Sequence, residues 1–171
     1  MKDKMKDKFV KYFMDVAERT AQLSYATRLK VGTVIVKNNR IISCGYNGMP
    51  AGWTPNDCEY PVSIDSIEFS KLPIDEQARF TYNSNKNEWE GLQTYDELIH
   101  SEINCLGQLT RTSESGKNCI MFCTHSPCIQ CAKSIYISGI KELYYKNEYR
   151  NKSGIEFLLR CGVSVVNVND T

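Results

Sequence analysis

The stretch "NCIMFCTHSPCIQCAKSIYISGIKELYYK", residues 118–146, decides the fold. Its first part, "NCIMFCT", is an apolar run of strand length. "CIQCAKSIYISG" then carries apolar residues at helical spacing and is stopped at Gly139, and "KELYYK" is a second strand-length run. The same alternation continues on both sides. "YDELIHSEINCLGQL", residues 95–109, reads as a helix before it, and helix "SGIEFLLRCG" and strand "VSVVNV" follow it. Strands alternating with helices predict βαβ crossovers and an α/β fold, a mixed sheet with helices on its faces.

Working outward, residues 5–26 place Phe9, Phe13, Val16, Ala17 and Ala21 near helical spacing among Lys and Asp, which predicts an amphipathic first helix. "VGTVIV" (31–36) and "RIISCGYN" (40–47) flank a "KNNR" turn and read as an antiparallel hairpin. From Pro50 to Thr94 the chain carries four prolines and the polar patch "TYNSNKNEWEG" without sustained periodicity. That segment, about 55–94, is expected to be a long loop or insertion holding at most a short helix at 74–80, and a loop of that length is usually functional or mobile.

With 171 residues and 42% apolar side chains the chain is expected to form one domain, 1–171. Twenty-one basic against twenty acidic side chains leave a formal charge of +1, too little to capture a polyanion, so no nucleic-acid partner is expected and a small ligand suits better. "MKDKMKDKFVKYF" lacks the apolar core of a signal peptide, and no apolar run is long enough to span a bilayer. The expected location is cytoplasmic, with no membrane partner.

Eight cysteines without an export signal point to buried, metal-bound or catalytic thiols rather than disulfides. Cys44, Cys105, Cys119, Cys123 and Cys161 sit in apolar or periodic segments and read as small hydrophobes. Only Cys128 and Cys131 have metal-ligand spacing, in "PCIQC", where Pro127 suits a helix's first turn. The positive end of that helix would favour thiolates. A redox C-x-x-C is the rival reading, and it leaves "HSE", residues 100–102, unexplained. An isolated histidine is more often a satisfied interior group than a ligand. His100 and Glu102, two residues apart, would diverge on a mid-helix and converge only around a helix start. His100, Cys128 and Cys131 make three zinc ligands with an open fourth position, the arrangement of a catalytic site, and Glu102 is then placed to move protons.

H-x-E with P-C-x-x-C is the known signature of zinc nucleobase deaminases. Together with "KVGTVIV", "RIISCGYNGMPAG", "SPCIQCAKSIYISGIKELYY" and "GIEFLLRCGVSVVNV", it makes the chain resemble the deoxycytidylate (dCMP) deaminase family of phages and eukaryotes. "GYNGMPAG", residues 45–52, is similar to the loop that meets nucleotide in that family. The resemblance implies a three-layer fold, a five-stranded mixed sheet with helices on both faces. It implies one catalytic Zn2+ on His100, Cys128 and Cys131, with Glu102 taking a proton from the attacking water and passing it to N3 of cytosine. C4 is attacked, ammonia leaves, and the product is dUMP, a precursor of thymidylate. By the same resemblance Asn47 reads the deoxyribose, Lys30 and Tyr149 lie near the 5′-phosphate, and Ser24, Arg28 and Ser101 are further substrate contacts. Lys30 and Arg28 have the alternative of ordinary surface charges, and Tyr149 that of packing at a strand end.

Ser101 stands where the family usually has alanine, and His125 where an apolar residue precedes "SPC"; His125 reads as a wall of the site rather than a ligand. A second, structural zinc is not expected, since both histidines fall near the first, although Cys58 is available. The resemblance further implies a homohexamer, in the host cytoplasm if phage-encoded, activated by dCTP and inhibited by dTTP, with Mg2+ accompanying the triphosphate. Gly45, Tyr46, Gly48 and Met49 and the subunit-contact position Arg111 would carry that regulation. Two rivals stay open. A deaminase acting on dCTP or a polynucleotide shares the zinc chemistry, the latter needing a basic groove and stacking aromatics. A non-enzymatic zinc-binding interaction protein would use four ligands and have no need of Glu102.

Overall fold

Continuous burial along the central strands, covered on both faces, fixes how the layers assemble in the computed structural model, which describes residues 5–170. Strand β1 (Gly32–Lys37) turns through Asn38 and Asn39, both at positive φ, into antiparallel β2 (Arg40–Tyr46). Asparagine tolerates that left-handed geometry, which matches the twist of a two-residue hairpin. On its other side β1 pairs antiparallel with β6 (Ile120–His125), which runs parallel to β7 (Glu142–Asn147), itself parallel to β8 (Ser164–Asn167). The result is a five-stranded mixed sheet in the order β2-β1-β6-β7-β8.

Because successive strand side chains face opposite ways, each strand feeds two cores. Val34, Val36, Phe122 and Tyr144 meet Val10, Phe13, Met14 and Ala17 of α1 (Asp7–Ala21) on one face. Ile35, Met121, Cys123 and Leu143 pack on the other face, with Cys105 and Leu109 of α4 (Ser101–Leu109), Ala132 and Ile135 of α5 (Ile129–Ile137) and Leu158 of α6 (Ser153–Arg160). The expected three layers are therefore present. No helix among the described residues is long and apolar enough to cross a membrane.

Several expectations are corrected. The first helix ends at Ala21, short of residue 26. The expected helix over 95–109 starts only at Ser101, because the residues before it are held against the chain after β2 by a bridge between Gly48 and Ile99. Cys44 lies on edge strand β2 and is exposed rather than buried.

The largest difference is the segment read as a loop. It folds into β3 (Glu59–Ile64), α2 (Ser66–Lys71), α3 (Ile74–Gln77), β4 (Phe80–Asn83) and β5 (Glu88–Thr94), and the strands form a second, antiparallel sheet in the order β3-β5-β4. Asp65 caps α2 by accepting from the amides of Ile67 and Glu68, both at 2.8 Å. Phe69 of α2 stacks on Trp89 of β5 with ring centroids 3.6 Å apart. Pro61 is tolerated because β3 is an edge strand.

Candidate active site

The starts of α4 and α5, which pack on the same face of the sheet, carry chemistry. His100 is the N-cap of α4, with extended φ −66° and ψ 151°, so it lies outside the helical path while Glu102 sits in the first turn. That geometry lets residues two apart converge. Cys128 is likewise the N-cap of α5 and Cys131 lies in its first turn. Pro127 thus precedes the cap instead of occupying the first turn.

The ligand atoms of His100, Cys128 and Cys131 all lie within 4.8 Å of one another. His100 Nδ1 is 3.4 Å from Cys131 Sγ and 3.7 Å from Cys128 Sγ. Tetrahedral zinc with ordinary Zn–N and Zn–S bonds would separate a nitrogen and a sulfur by about 3.6 Å. The three residues present fit the ion.

Hydrogen bonding with Cys131 holds the Cys128 thiol down at about 3. Cys131, on the other side of that bond and buried, is pushed up. A bound metal would take both as thiolates, because a coordinating thiol is deprotonated. Hydrogen bonding to Cys128 raises His100, against the opposing effect of burial.

Glu102 is 5% exposed. Burial pushes its carboxyl above the ordinary range, so it can both hold and release a proton. A chain of buried hydroxyls fixes it from behind: the Ser101 hydroxyl donates to Glu102 Oε2 at 3.0 Å and lies 2.7 Å from Thr33 Oγ1. Ser101, expected as a substrate contact, is fully buried with its hydroxyl committed to Glu102, and it is among the residues lining the adjoining cleft. Cys123, next to this chain, has its thiol pushed to about 12 by burial and is inert.

Gly154, at the start of α6, was not singled out by the sequence. A Cβ there would lie 2.1 Å from the Pro127 carbonyl oxygen, so only glycine lets α6 press on the loop that carries Cys128.

From this centre a cleft of about 1090 Å³ runs outward between the main sheet and the inserted one. His100, Glu102 and Cys128 line its inner part, Asn47 and His125 flank it, and Arg28, Arg79, Tyr149 and Arg150 also line it. Asn47 is buried, its Oδ1 accepting from the Val31 amide and its Nδ2 donating to the Leu29 carbonyl, both at 2.8 Å, so it also pins the strand entering β1. His125 is a wall residue, its Nδ1 3.1 Å from Thr124 Oγ1.

Two expected substrate contacts lie elsewhere. Lys30 is exposed and is not among the residues lining the cleft; its neighbour Arg28 is. Ser24 is buried, donating to the Asn47 carbonyl at 2.7 Å, and acts as a brace for that residue. Gly45 is buried against α4, where a Cβ would come within 2.4 Å of the Cys105 nitrogen. Tyr46, Gly48 and Met49 are partly exposed, and Arg111 is exposed just past the end of α4.

A metal centre assembled at two helix starts, open to a cleft and served by a buried carboxylate, is the chemistry of a zinc-dependent deaminase. The family model of the cytidine and deoxycytidylate deaminase zinc-binding region matches residues 7–147. The deoxycytidylate deaminase of Enterobacteria phage T4 is 35% identical, over 91% of this chain and 87% of its own length. The human deoxycytidylate deaminase is 32% identical over 80% of this chain and 64% of its own. The crystal structure of dCMP deaminase from cyanophage S-TIM5, in complex with dCMP and dUMP, superposes with a TM-score of 0.75 at 34% identity, covering 96% of this chain and 99% of that one. The chain belongs to the cytidine and deoxycytidylate deaminase family.

Proposed function

We propose that this protein hydrolyses dCMP to dUMP and ammonia. The observation that carries the reading is a single cleft that joins the His100, Cys128, Cys131 and Glu102 group to a rim of arginines, a layout suited to a cytosine ring at one end and a phosphate at the other. The 34% identity to a phage dCMP deaminase solved with dCMP and dUMP supports it.

His100, Cys128 and Cys131 would hold the zinc. When bound, the ion acts as a Lewis acid that makes water nucleophilic near neutral pH. Glu102 takes the proton from the attacking water and delivers it to N3 while the new C4–O bond forms. It then takes the proton of the new C4 hydroxyl and passes it to the exocyclic amine, so that the C4 carbonyl forms as the C4–N4 bond breaks and ammonia leaves. Ser101 holds one carboxylate oxygen of Glu102 in place through these transfers. Asn47 offers its remaining amide N–H to the deoxyribose, and Arg28 and Tyr149 meet the phosphate.

The test is substrate preference. Charge-assisted hydrogen bonds contribute about 1.5–3 kcal/mol each, so two of them give dCMP a kcat/KM advantage over deoxycytidine of about 10²-fold or more. Equal efficiency on the nucleoside and its monophosphate would sink the reading.

The reading extends to assembly and control. In it the chain forms a hexamer, dCTP with Mg2+ activates, and dTTP inhibits, through Tyr46, Gly48 and Met49 and a boundary near Arg111. Exposed apolar side chains on the outer helices, Ile137 at 81% and Leu159 at 55%, support burial against other copies. Substrate curves should be sigmoidal, become hyperbolic with dCTP and shift back with dTTP, and Arg111→Glu should weaken assembly or the response. A monomer by light scattering, with hyperbolic kinetics indifferent to both triphosphates, overturns this part alone.

A further inference from the structure

The inserted sheet is fastened to the main body at places that bracket the cleft. Glu59 of β3 accepts from the Thr27 amide and hydroxyl at 3.1 and 3.0 Å, and Thr94 of β5 accepts from Arg28 Nη1 at 2.9 Å. On the far rim Glu76 of α3 pairs with Arg150 Nη1 at 2.9 Å. Arg79, between α3 and β4, lines the cleft, its amide bonded to the Glu76 carbonyl at 3.0 Å.

Charge on this outer wall does not balance locally. Of the carboxylates lining it, Glu76 is paired with Arg150 and Glu90 with Lys86 at 2.8 Å, while Glu59, held by the neutral Thr27, keeps its charge beside Arg28. Arg79 has no ion pair among the described residues. Burial holds Arg28 below its ordinary basicity; the nearby charges of Arg79 and Arg150 add to the effect, and that of Glu59 opposes it without cancelling it. Like charges gathered on a half-buried wall call for an anion, and the guanidinium fork matches the oxygens of a phosphomonoester.

We infer that the inserted sheet forms the outer wall of the substrate's phosphate subsite and that Arg79 is the cation it supplies, making the insertion a determinant of selectivity for a nucleoside monophosphate over the free nucleoside. This rests on the deoxycytidylate reading above. It gives the 55–94 insertion a role that the metal motif does not explain.

The experiment measures kcat/KM on dCMP and on deoxycytidine for the wild-type protein, Arg79→Gln and Arg79→Lys. For Arg79→Gln the ratio of the two efficiencies should fall about 10- to 100-fold, mainly through KM for dCMP, as expected for one lost charge-assisted contact. Arg79→Lys should recover part of the ratio, since the charge returns without the fork. An unchanged ratio in Arg79→Gln, whether activity persists or falls equally on both substrates, overturns the inference. The wild-type arm separates the two readings. Wild-type turnover of dCMP with an unchanged ratio in Arg79→Gln removes only the role of the inserted wall, whereas no wild-type preference for dCMP removes the deoxycytidylate reading itself.

Discussion

Glu102→Gln is expected to lower kcat on dCMP by about 10²- to 10⁴-fold, the usual worth of a positioned general acid–base group. Glutamine has nearly the same volume and can still accept the hydrogen bond that Ser101 donates at 3.0 Å. What it loses is the ability to take up and return a proton. The fold should not suffer, because the carboxyl is 5% exposed and a neutral amide relieves the cost of burying charge there. Zinc content should stay at that of the wild type, since the clustered ligand atoms belong to His100, Cys128 and Cys131. Steady-state kinetics with metal analysis on the same preparation checks both halves. Near-normal turnover would remove Glu102 from the reaction.

The legibility of this site in the sequence came from residues whose roles depend on local chain direction. His100 and Glu102 converge only because α4 begins between them, and the convergence argument located that helix start better than the apolar periodicity, which ran the helix back to residue 95. The core strands were equally readable, since Val34, Ile35 and Val36 are buried on both faces of a covered sheet. The inserted sheet was not. Its strands are only 4–7 residues long and mostly half exposed, so neither a continuous apolar run nor strict alternation marks them. Its apolar centre is the aromatic cluster of Phe69, Phe80 and Trp89, with the exposed Tyr82 at its margin, a contact set between residues on different elements. The cleft's cations were hidden for the same reason. Lys30 and Arg28 are neighbours in sequence, and only the course of the chain into β1 tells which of them faces the cleft. Arg79 has no motif around it, and Gly154 acquires meaning only when α6 is seen against the Pro127 carbonyl.

Cys131→Ser is expected to abolish both zinc binding and activity, the largest effect of any single change at the centre. A serine hydroxyl stays protonated near neutral pH and is a poor zinc ligand, which leaves His100 and Cys128 as two donors where an open catalytic site needs three. The residue is 1% exposed, packed in the first turn of α5, so the vacated position cannot be refilled by a neighbouring side chain without moving the helix. Stability should fall with the metal. An ion present at a hundred times its Kd stabilises the folded state by about 2.7 kcal/mol, which corresponds to a Tm lower by about 5–10 °C for a chain of this size once binding is lost. Chelation of the wild-type protein should reproduce both losses, and added zinc should restore them in the wild type but not in Cys131→Ser. A variant that keeps zinc at the wild-type level and turns over dCMP normally would show that the ion is held elsewhere, and the assignment of His100, Cys128 and Cys131 as its ligands would be wrong.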